Sequence, residues 1–245
     1  MSTVLHVLKS SVRPLLEFIY PPVCFICESL METGRSRVCA DCWSTMEPVT
    51  DEDPLLREMT GRLTGNPSSS IQRLIPLFHF EKGGILQEVI HQLKYSGMTI
   101  LGVELGRRLG ERIQSQTPGF QIDGIIPVPL HPTKLRERGY NQSEYIARGI
   151  REIIPIPIYS SLLRRHKYTV SQTHLTAAER KENVGEAFAL NNRYLLHVEG
   201  KRFLLVDDVI TTGATTEACA QTMRSAGALE LIACSIALAE HSSQS

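Results

Sequence analysis

The stretch Phe203-Leu204-Leu205-Val206-Asp207-Asp208-Val209-Ile210-Thr211-Thr212-Gly213-Ala214-Thr215 decides how this chain is read. Its first four residues form an apolar run that reads as a strand buried on both faces, as in a parallel sheet. Two carboxylates follow at the strand's carboxyl end, then a short loop of small and hydroxylic residues. Behind the loop, Thr216 to Ala226 reads as a helix. Ala218, Cys219, Thr222, Met223 and Ala226 share one face, and Gly227 is the stop. Such a loop points free N–H groups and the positive end of the helix dipole at a bound phosphate. The two Asp can accept hydrogen bonds from sugar hydroxyls or approach a divalent metal. Capping accounts for one acid or one Thr, but not for the whole string. The parts together point to a site for a sugar carrying a phosphate. It is not a Walker A loop, because no Lys follows the Gly, and no G-x-G-x-x-G is present.

Outward from this stretch, strands and helices alternate. Leu74 to Phe80 reads as a first strand or hairpin arm. Ile85, Leu86, Val89, Ile90 and Leu93 recur at helical spacing, and Leu101, Leu105, Leu109 and Ile113 mark a second helix. Asp123 to Leu130 reads as a strand in which Pro127 and Pro129 donate no ladder bonds, so pairing should give way to a loop there. Asn141 to Ile153 reads as a helix, Ile156 to Leu163 as a strand, and Leu231 to Leu238 as another. The alternation argues an α/β domain with a parallel sheet over residues 71–240. Gly65-Asn66-Pro67-Ser68-Ser69-Ser70 is the clearest linker, so residues 1–66 read as a separate small module.

That module carries Cys24-x2-Cys27 and Cys39-x2-Cys42, separated by eleven residues. Two such knuckles suit a tetrahedral zinc ion, and four cysteines close the coordination sphere, so the metal is structural. Two disulfides and a redox dithiol are the alternatives; a cytosolic setting disfavours the first, and the second explains only one pair. Cys219 and Cys234 read as small buried hydrophobes.

Composition narrows the classes. The chain has 245 residues, 42% hydrophobic and 21% charged, with 26 basic and 26 acidic residues and no net charge. A strongly electrostatic nucleic-acid binder should be basic, so nothing global favours that class. No apolar run is long enough to cross a bilayer. Met1 to Tyr20 has helical apolar spacing but lacks the features of a signal peptide, so the expected location is the cytoplasm.

After Pro127-Val128-Pro129-Leu130-His131-Pro132 come Lys134, Arg136 and Arg138, three cations within five residues. They suit a diphosphate, and Arg can bind it in bidentate fashion. A solvated basic helix start is the alternative. Cations at a helix amino end oppose the dipole, so a bound anion accounts better for their placement. Arg164 to Gly185 is long, polar and cationic, and such segments are often lids. Lys167, Gln172 and Arg180 are the lid candidates, with a plain surface excursion as the alternative for each.

The Asp-Asp, Val-Ile, Thr-Thr-Gly-Ala-Thr string resembles the phosphoribosyl-diphosphate motif of type I phosphoribosyltransferases. Several strings are in addition similar, in order, to those of the ComF family: the Cys-x2-Cys pairs, Leu93-Lys94-Tyr95-x-Gly97, Pro127-Val128-Pro129-Leu130, Arg136-x-Arg138-Gly139-Tyr140-Asn141-Gln142, Gln172, Arg180, Asn183-Val184 and the Asp-Asp loop. The likeness spans roughly residues 20–240. That family resembles amidophosphoribosyltransferases and is associated with competence for DNA uptake. The resemblance implies a type I phosphoribosyltransferase fold with a small N-terminal zinc module. It implies that Asp207 and Asp208 hold the ribose hydroxyls and that Thr211, Thr212, Gly213, Ala214 and Thr215 cradle the 5′-phosphate. It assigns the backbone of Val128, Pro129, Leu130 and His131 to pyrophosphate, with Lys134, Arg136 and Arg138 beside it, and Mg²⁺ to the ribose and diphosphate oxygens. Lys94 lies in a family string, with snorkelling from a helix end as the other reading. No Cys follows Met1, so a glutamine-hydrolysing half is not expected.

Three functions remain open at this stage. One is transfer of a phosphoribosyl group to an unidentified nitrogenous acceptor, which needs positioning and charge stabilisation rather than a protein nucleophile. The second is a non-catalytic ligand-binding or scaffolding component of the DNA-uptake machinery. The third is a zinc-knuckle protein that docks a helicase or single-stranded DNA; aromatic content of 6% gives it few stacking platforms.

Overall fold

The computed structural model describes residues 21–31, 36–65, 69–166 and 187–240. The chain divides into two units, Met1–Met46 and Glu47–Ser245. The expected helix over Met1 to Tyr20 lies outside the described residues.

In the first unit, Cys24 and Cys27 sit on a turn closed by a Val23–Leu30 antiparallel bridge. The Glu28 N–H donates to the Cys24 carbonyl at 2.8 Å, and Glu28 itself takes a left-handed φ of 59°. The second pair opens helix α1 (Ala40–Ser44). Cys39 is its N-cap, and its sulfur accepts the Cys42 N–H.

The second unit begins with α2 (Pro54–Thr64). Asp53 caps it by accepting the Leu56 N–H at 2.9 Å, and Pro54 fills a first-turn position where no donor is needed. Leu56, Met59 and Leu63 are buried in the large core. Apolar burial thus draws α2 into the second unit, and the division falls ahead of the Gly65–Ser70 segment. There follow β1 (Arg73–His79), α3 (Ile85–Tyr95), α4 (Thr99–Gln116), β2 (Gly124–Pro127), α5 (Pro132–Arg138), α6 (Gln142–Ile153), β3 (Leu163–Arg165) and β4 (Phe188–Leu190). A 3₁₀ turn, Asn192–His197, leads to β5 (Arg202–Ile210), α7 (Ala214–Ser225) and β6 (Glu230–Leu238).

The main sheet has the order β1-β6-β5-β2, and every pairing in it is parallel. β5 lies inside, between β6 and β2, with its first apolar residues fully buried. It does not stop at Val206. Asp207 pairs with Ser235, Val209 with Ala237 and Ile210 with Leu238, so the two acids lie within the strand. The alternating apolar Val209 and Ile210 carry the ladder past them.

Both edges carry proline. Pro76 lies in β1 and Pro127 in β2. Pairing reaches Pro127, and the Val128 N–H donates to the Val206 carbonyl at 2.9 Å. Ile125 donates outward, to the Pro157 carbonyl, so the period of two turns the donorless Pro127 nitrogen outward as well. The strand expected over Ile156 to Leu163 shrinks to an Ile125–Ile158 bridge. Pro157 can donate nothing, and Leu163 to Arg165 leave to pair antiparallel with β4.

Helices α4 and α6 approach closely through glycine. A Cβ on Gly106 would lie 2.1 Å from the Ile146 carbonyl oxygen, and one on Gly149 would lie 2.1 Å from that of Val103. This contact fixes α6, whose amino end reaches the acids of β5.

Candidate functional site

The site gathers at the carboxyl ends of β2 and β5, where ligands sit in open α/β sheets. Asp207 is half-buried and Asp208 is 5% exposed. Asp208 forms an ion pair with Lys94, in the last turn of α3, and its Oδ1 accepts from Gln142 Nε2 at 3.3 Å. Asp207 Oδ1 accepts from the Asp208 N–H at 2.9 Å and from Ser143 Oγ at 3.4 Å. Burial and the neighbouring Asp208 charge hold the Asp207 carboxyl well above the usual range. Burial opposes the Asp208 charge too, but Lys94, Asp207 and Gln142 outweigh it and hold Asp208 below its usual value.

Gln142 extends the network, because its Oε1 accepts from Arg138, whose guanidinium lies 5.4 Å from the Tyr95 ring centre. Lys94, Lys134 and Arg138 border one pocket of about 260 Å³ together with Tyr95 and Glu137. Three cations against one acid make that pocket fit for an anion. Arg136 is exposed and is not part of that lining; it reaches Thr133 Oγ1 at 3.5 Å. The helix dipole is opposed by Lys134, in the first turn, but not by Arg136 and Arg138. α5 starts at Pro132, so Arg136 and Arg138 fall in its last turn, where they complement the dipole.

The loop after β2 is fixed from two sides. The Val128 carbonyl accepts from Asn141 Nδ2 at 3.0 Å, while Asn141 Oδ1 caps α6 through the Ser143 N–H. Val128 is buried, and Pro129 and Leu130 are half-buried.

Beyond β5 the chain turns at Gly213, the N-cap of α7, with φ 74° and no side-chain cap. Among the described residues, the N–H groups of Thr212, Gly213 and Thr215 make no hydrogen bond, while that of Ala214 reaches Thr212 Oγ1 at 3.3 Å. Free donors at the start of a three-turn helix can receive an anion. Next to Thr211, a cleft of about 730 Å³ opens over the ends of β1 and β6, with an Asp53–His79 pair at 2.6 Å in its wall.

Sequence reading did not single out Arg62, Gln142 or Ser143. Gln142 was visible only inside a longer string, and Arg62 lies 150 residues from the loop it touches. Lys167, Gln172 and Arg180 lie outside the described residues.

In the first unit, the sulfurs of Cys24, Cys27, Cys39 and Cys42 all lie within 4.8 Å of one another, with Cys27 and Cys39 at 3.6 Å. Four thiolates around zinc at ~2.3 Å stand roughly 3.8 Å apart, so the set fits that ion. The Ser29 hydroxyl and N–H lower Cys27 to about 6, whereas burial pushes Cys42 up. Cys219 and Cys234 are fully buried.

A parallel sheet with paired acids on an inner strand, leading directly into a glycine turn and a helix, defines a phosphoribosyltransferase-type domain. Residues 153–244 match the phosphoribosyl transferase domain model, and residues 15–54 match the double zinc ribbon domain. The chain is 30% identical to DNA utilization protein YhgH of Shigella flexneri over 222 residues, 85% of this chain and 93% of that one. It is 25% identical to competence protein F of Haemophilus influenzae over 219 residues, with the same coverage. The chain belongs to this family, the ComF family. A solved glutamine phosphoribosylpyrophosphate amidotransferase from B. subtilis superposes with a TM-score of 0.36 at 25% identity. That match covers 54% of this chain and only a quarter of the amidotransferase, so the fold assignment rests on the sheet and the family model instead.

Proposed function

We propose that the second unit binds phosphoribosyl diphosphate with Mg²⁺ and transfers the phosphoribosyl group to a nitrogenous acceptor. One observation supports this above the rest. Asp207 and Asp208 run, three residues on, into a loop of free N–H groups at the head of α7. In this reading the acids hold the ribose hydroxyls and Thr211–Thr215 seat the 5′-phosphate. The Val128–His131 backbone and the pocket of Lys94, Lys134 and Arg138 receive the diphosphate, with Arg136 at its flank. Lys167, Gln172 and Arg180 remain the lid candidates. Carboxylate oxygens beside the Ser143 hydroxyl suit Mg²⁺, which when bound would offset charge on the diphosphate.

In the reaction, the bond from the anomeric carbon to the diphosphate oxygen breaks and its electron pair leaves with pyrophosphate. The acceptor nitrogen supplies the pair for the new bond and sheds its proton. The chain's part is to orient the sugar and to stabilise both developing charges. The cleft beside Thr211 has room for the acceptor. Relatives named for DNA utilization and competence support a role in DNA uptake. A four-cysteine set suited to zinc, which needs reduced thiols, supports a cytoplasmic site of action.

Calorimetry on zinc-loaded protein tests the reading. Mg²⁺-dependent binding of phosphoribosyl diphosphate is expected, and Asp207→Ala/Asp208→Ala should abolish it. No binding by folded wild-type protein at millimolar ligand removes the proposal. A second, non-catalytic reading is favoured by the pairing of Asp208 with Lys94, which leaves only Asp207 open to a ribose. Tight ligand binding with no pyrophosphate released, whatever the acceptor, decides for that reading. A docking role on single-stranded DNA would instead show binding that weakens steeply with salt.

A further inference from the structure

The carboxyl end of α2 is built onto the phosphate loop at three points. Arg62 Nη2 donates to the Thr212 carbonyl at 2.8 Å and lies 3.5 Å from that of Thr211. Leu63 packs so tightly on Gly213 that a Cβ there would stand 2.7 Å from Leu63 Cδ2. Just past the helix, the Ser70 N–H donates to Glu217 Oε1 in the first turn of α7 at 3.3 Å. That contact, with Gln221 Nε2 also at 3.3 Å, engages Glu217 Oε1.

The Arg62 contact has a directional consequence. A trans peptide is planar, so its C=O and the following N–H point in opposite directions. Holding the Thr212 carbonyl toward α2 turns the Gly213 N–H away from α2, and the Thr211 carbonyl relates to the Thr212 N–H in the same way. Arg62 also carries its charge to the loop that would seat an anion, while its guanidinium is already engaged by backbone oxygens. Met59 Sδ, 2.6 Å from Nη2, lies against the same group.

We propose that Arg62 is a positioning residue: it sets the orientation of the Thr212–Gly213 peptide and so aims the Gly213 N–H at the 5′-phosphate. This rests on the phosphoribosyl reading of the site given above. It adds to that reading a residue outside the β5–α7 segment, one whose role is to orient the loop rather than to touch the sugar. Leu63 completes the clamp, because a side chain at 213 would have to displace the Leu63 methyls and would sit at a left-handed φ of 74° that favours glycine.

Ribose 5-phosphate and magnesium pyrophosphate are the probes, titrated separately into full-length, zinc-loaded protein. Arg62→Met keeps the apolar stem and removes the donors. It should weaken ribose 5-phosphate about tenfold, as loss of one charged hydrogen bond does, and leave pyrophosphate unchanged. Arg62→Lys keeps a point charge without the fork and should fall between. In ¹⁵N spectra, ribose 5-phosphate should move the Gly213 amide proton downfield in the wild type and not in Arg62→Met. Equal ribose 5-phosphate affinity in wild type and Arg62→Met, or equal loss of both probes, overturns the role of Arg62 alone. Should Arg62→Met not fold, the wild-type spectrum decides: a Gly213 amide unmoved while Thr212 and Thr215 shift overturns it. Wild-type protein that binds neither probe overturns the reading of the site, and this inference with it.

Discussion

Asp207 and Asp208 are chemically identical neighbours that the fold drives apart. Burial and the adjacent charge raise Asp207, while Lys94 and hydrogen bonds hold Asp208 down despite deeper burial. The signs follow from proton linkage. The folded chain keeps the Asp207 proton to a higher pH than the unfolded chain, so stability falls as pH rises from the ordinary carboxylate range through the raised value. Asp208 does the reverse: its contribution is present above its unfolded pKa and is lost as pH falls through the lowered one. At neutral pH, then, Asp207 is a strained group kept at a site whose proposed work needs a carboxylate. Asp207→Asn keeps an oxygen for the Asp208 N–H and for Ser143 but removes the like charge. It should stabilise the protein at neutral and mildly alkaline pH by roughly 1 kcal/mol, or about 2–4 °C for a domain of this size, and flatten the decline with pH. The same variant should lose phosphoribosyl diphosphate. Thermal melts over a pH series check it, and a lower melting temperature at alkaline pH would show that the acid is not strained.

At the scale of elements, the site depends on where α6 begins, since Asn141, Gln142 and Ser143 hold the β2 loop and both acids. The glycine contact with α4 sets that placement. Gly106→Ala puts a methyl 2.1 Å from the Ile146 carbonyl oxygen, and backbone there cannot yield as a side-chain tip can. The expected cost is about 1–3 kcal/mol, with weaker ligand binding because the start of α6 moves. Urea midpoints check the first part, and an unchanged midpoint would mean the two helices separate freely. This dependence also explains what could be read from sequence. The β5–loop–α7 segment was legible because strand, acids, glycine turn and helix follow one another, so local rules govern all of it. The short helix carrying Arg136 and Arg138 entered the sequence reading only as an alternative, and its start was not legible. Pro132 at the first turn places those two cations at the far end and removes the argument built on the dipole for them. The extent of β5 was hidden as well, because Asp207 and Asp208 break an apolar run that only the partner β6 restores. Arg62 was invisible, since nothing near it in sequence signals a loop 150 residues away.

At the scale of the molecule, two units rest on different physics. Among the described residues, the large core of the second unit runs from Val49 to Leu238, so the sheet unit has its own apolar support. The buried apolar residues of the first unit, among those described, are few: Cys24, Val38, Cys42, Trp43 and Met46, two of them zinc-type ligands. A module this small falls near the size where apolar burial alone does not hold a fold and a metal supplies the difference. Zinc removal should therefore act on one unit. The chain should carry one zinc, and Cys24→Ser or Cys39→Ser should lose it, as measured by metal analysis. Trp43 is the single tryptophan of the chain and lies between Cys42 and the end of that unit, so its fluorescence reports there alone. Chelation should shift Trp43 emission to the red while the far-ultraviolet signal of the parallel sheet persists. An unmoved Trp43 after the metal is stripped would mean the knuckles hold without it. Collapse of both signals together would mean the sheet unit draws its stability from the zinc module despite having a core of its own.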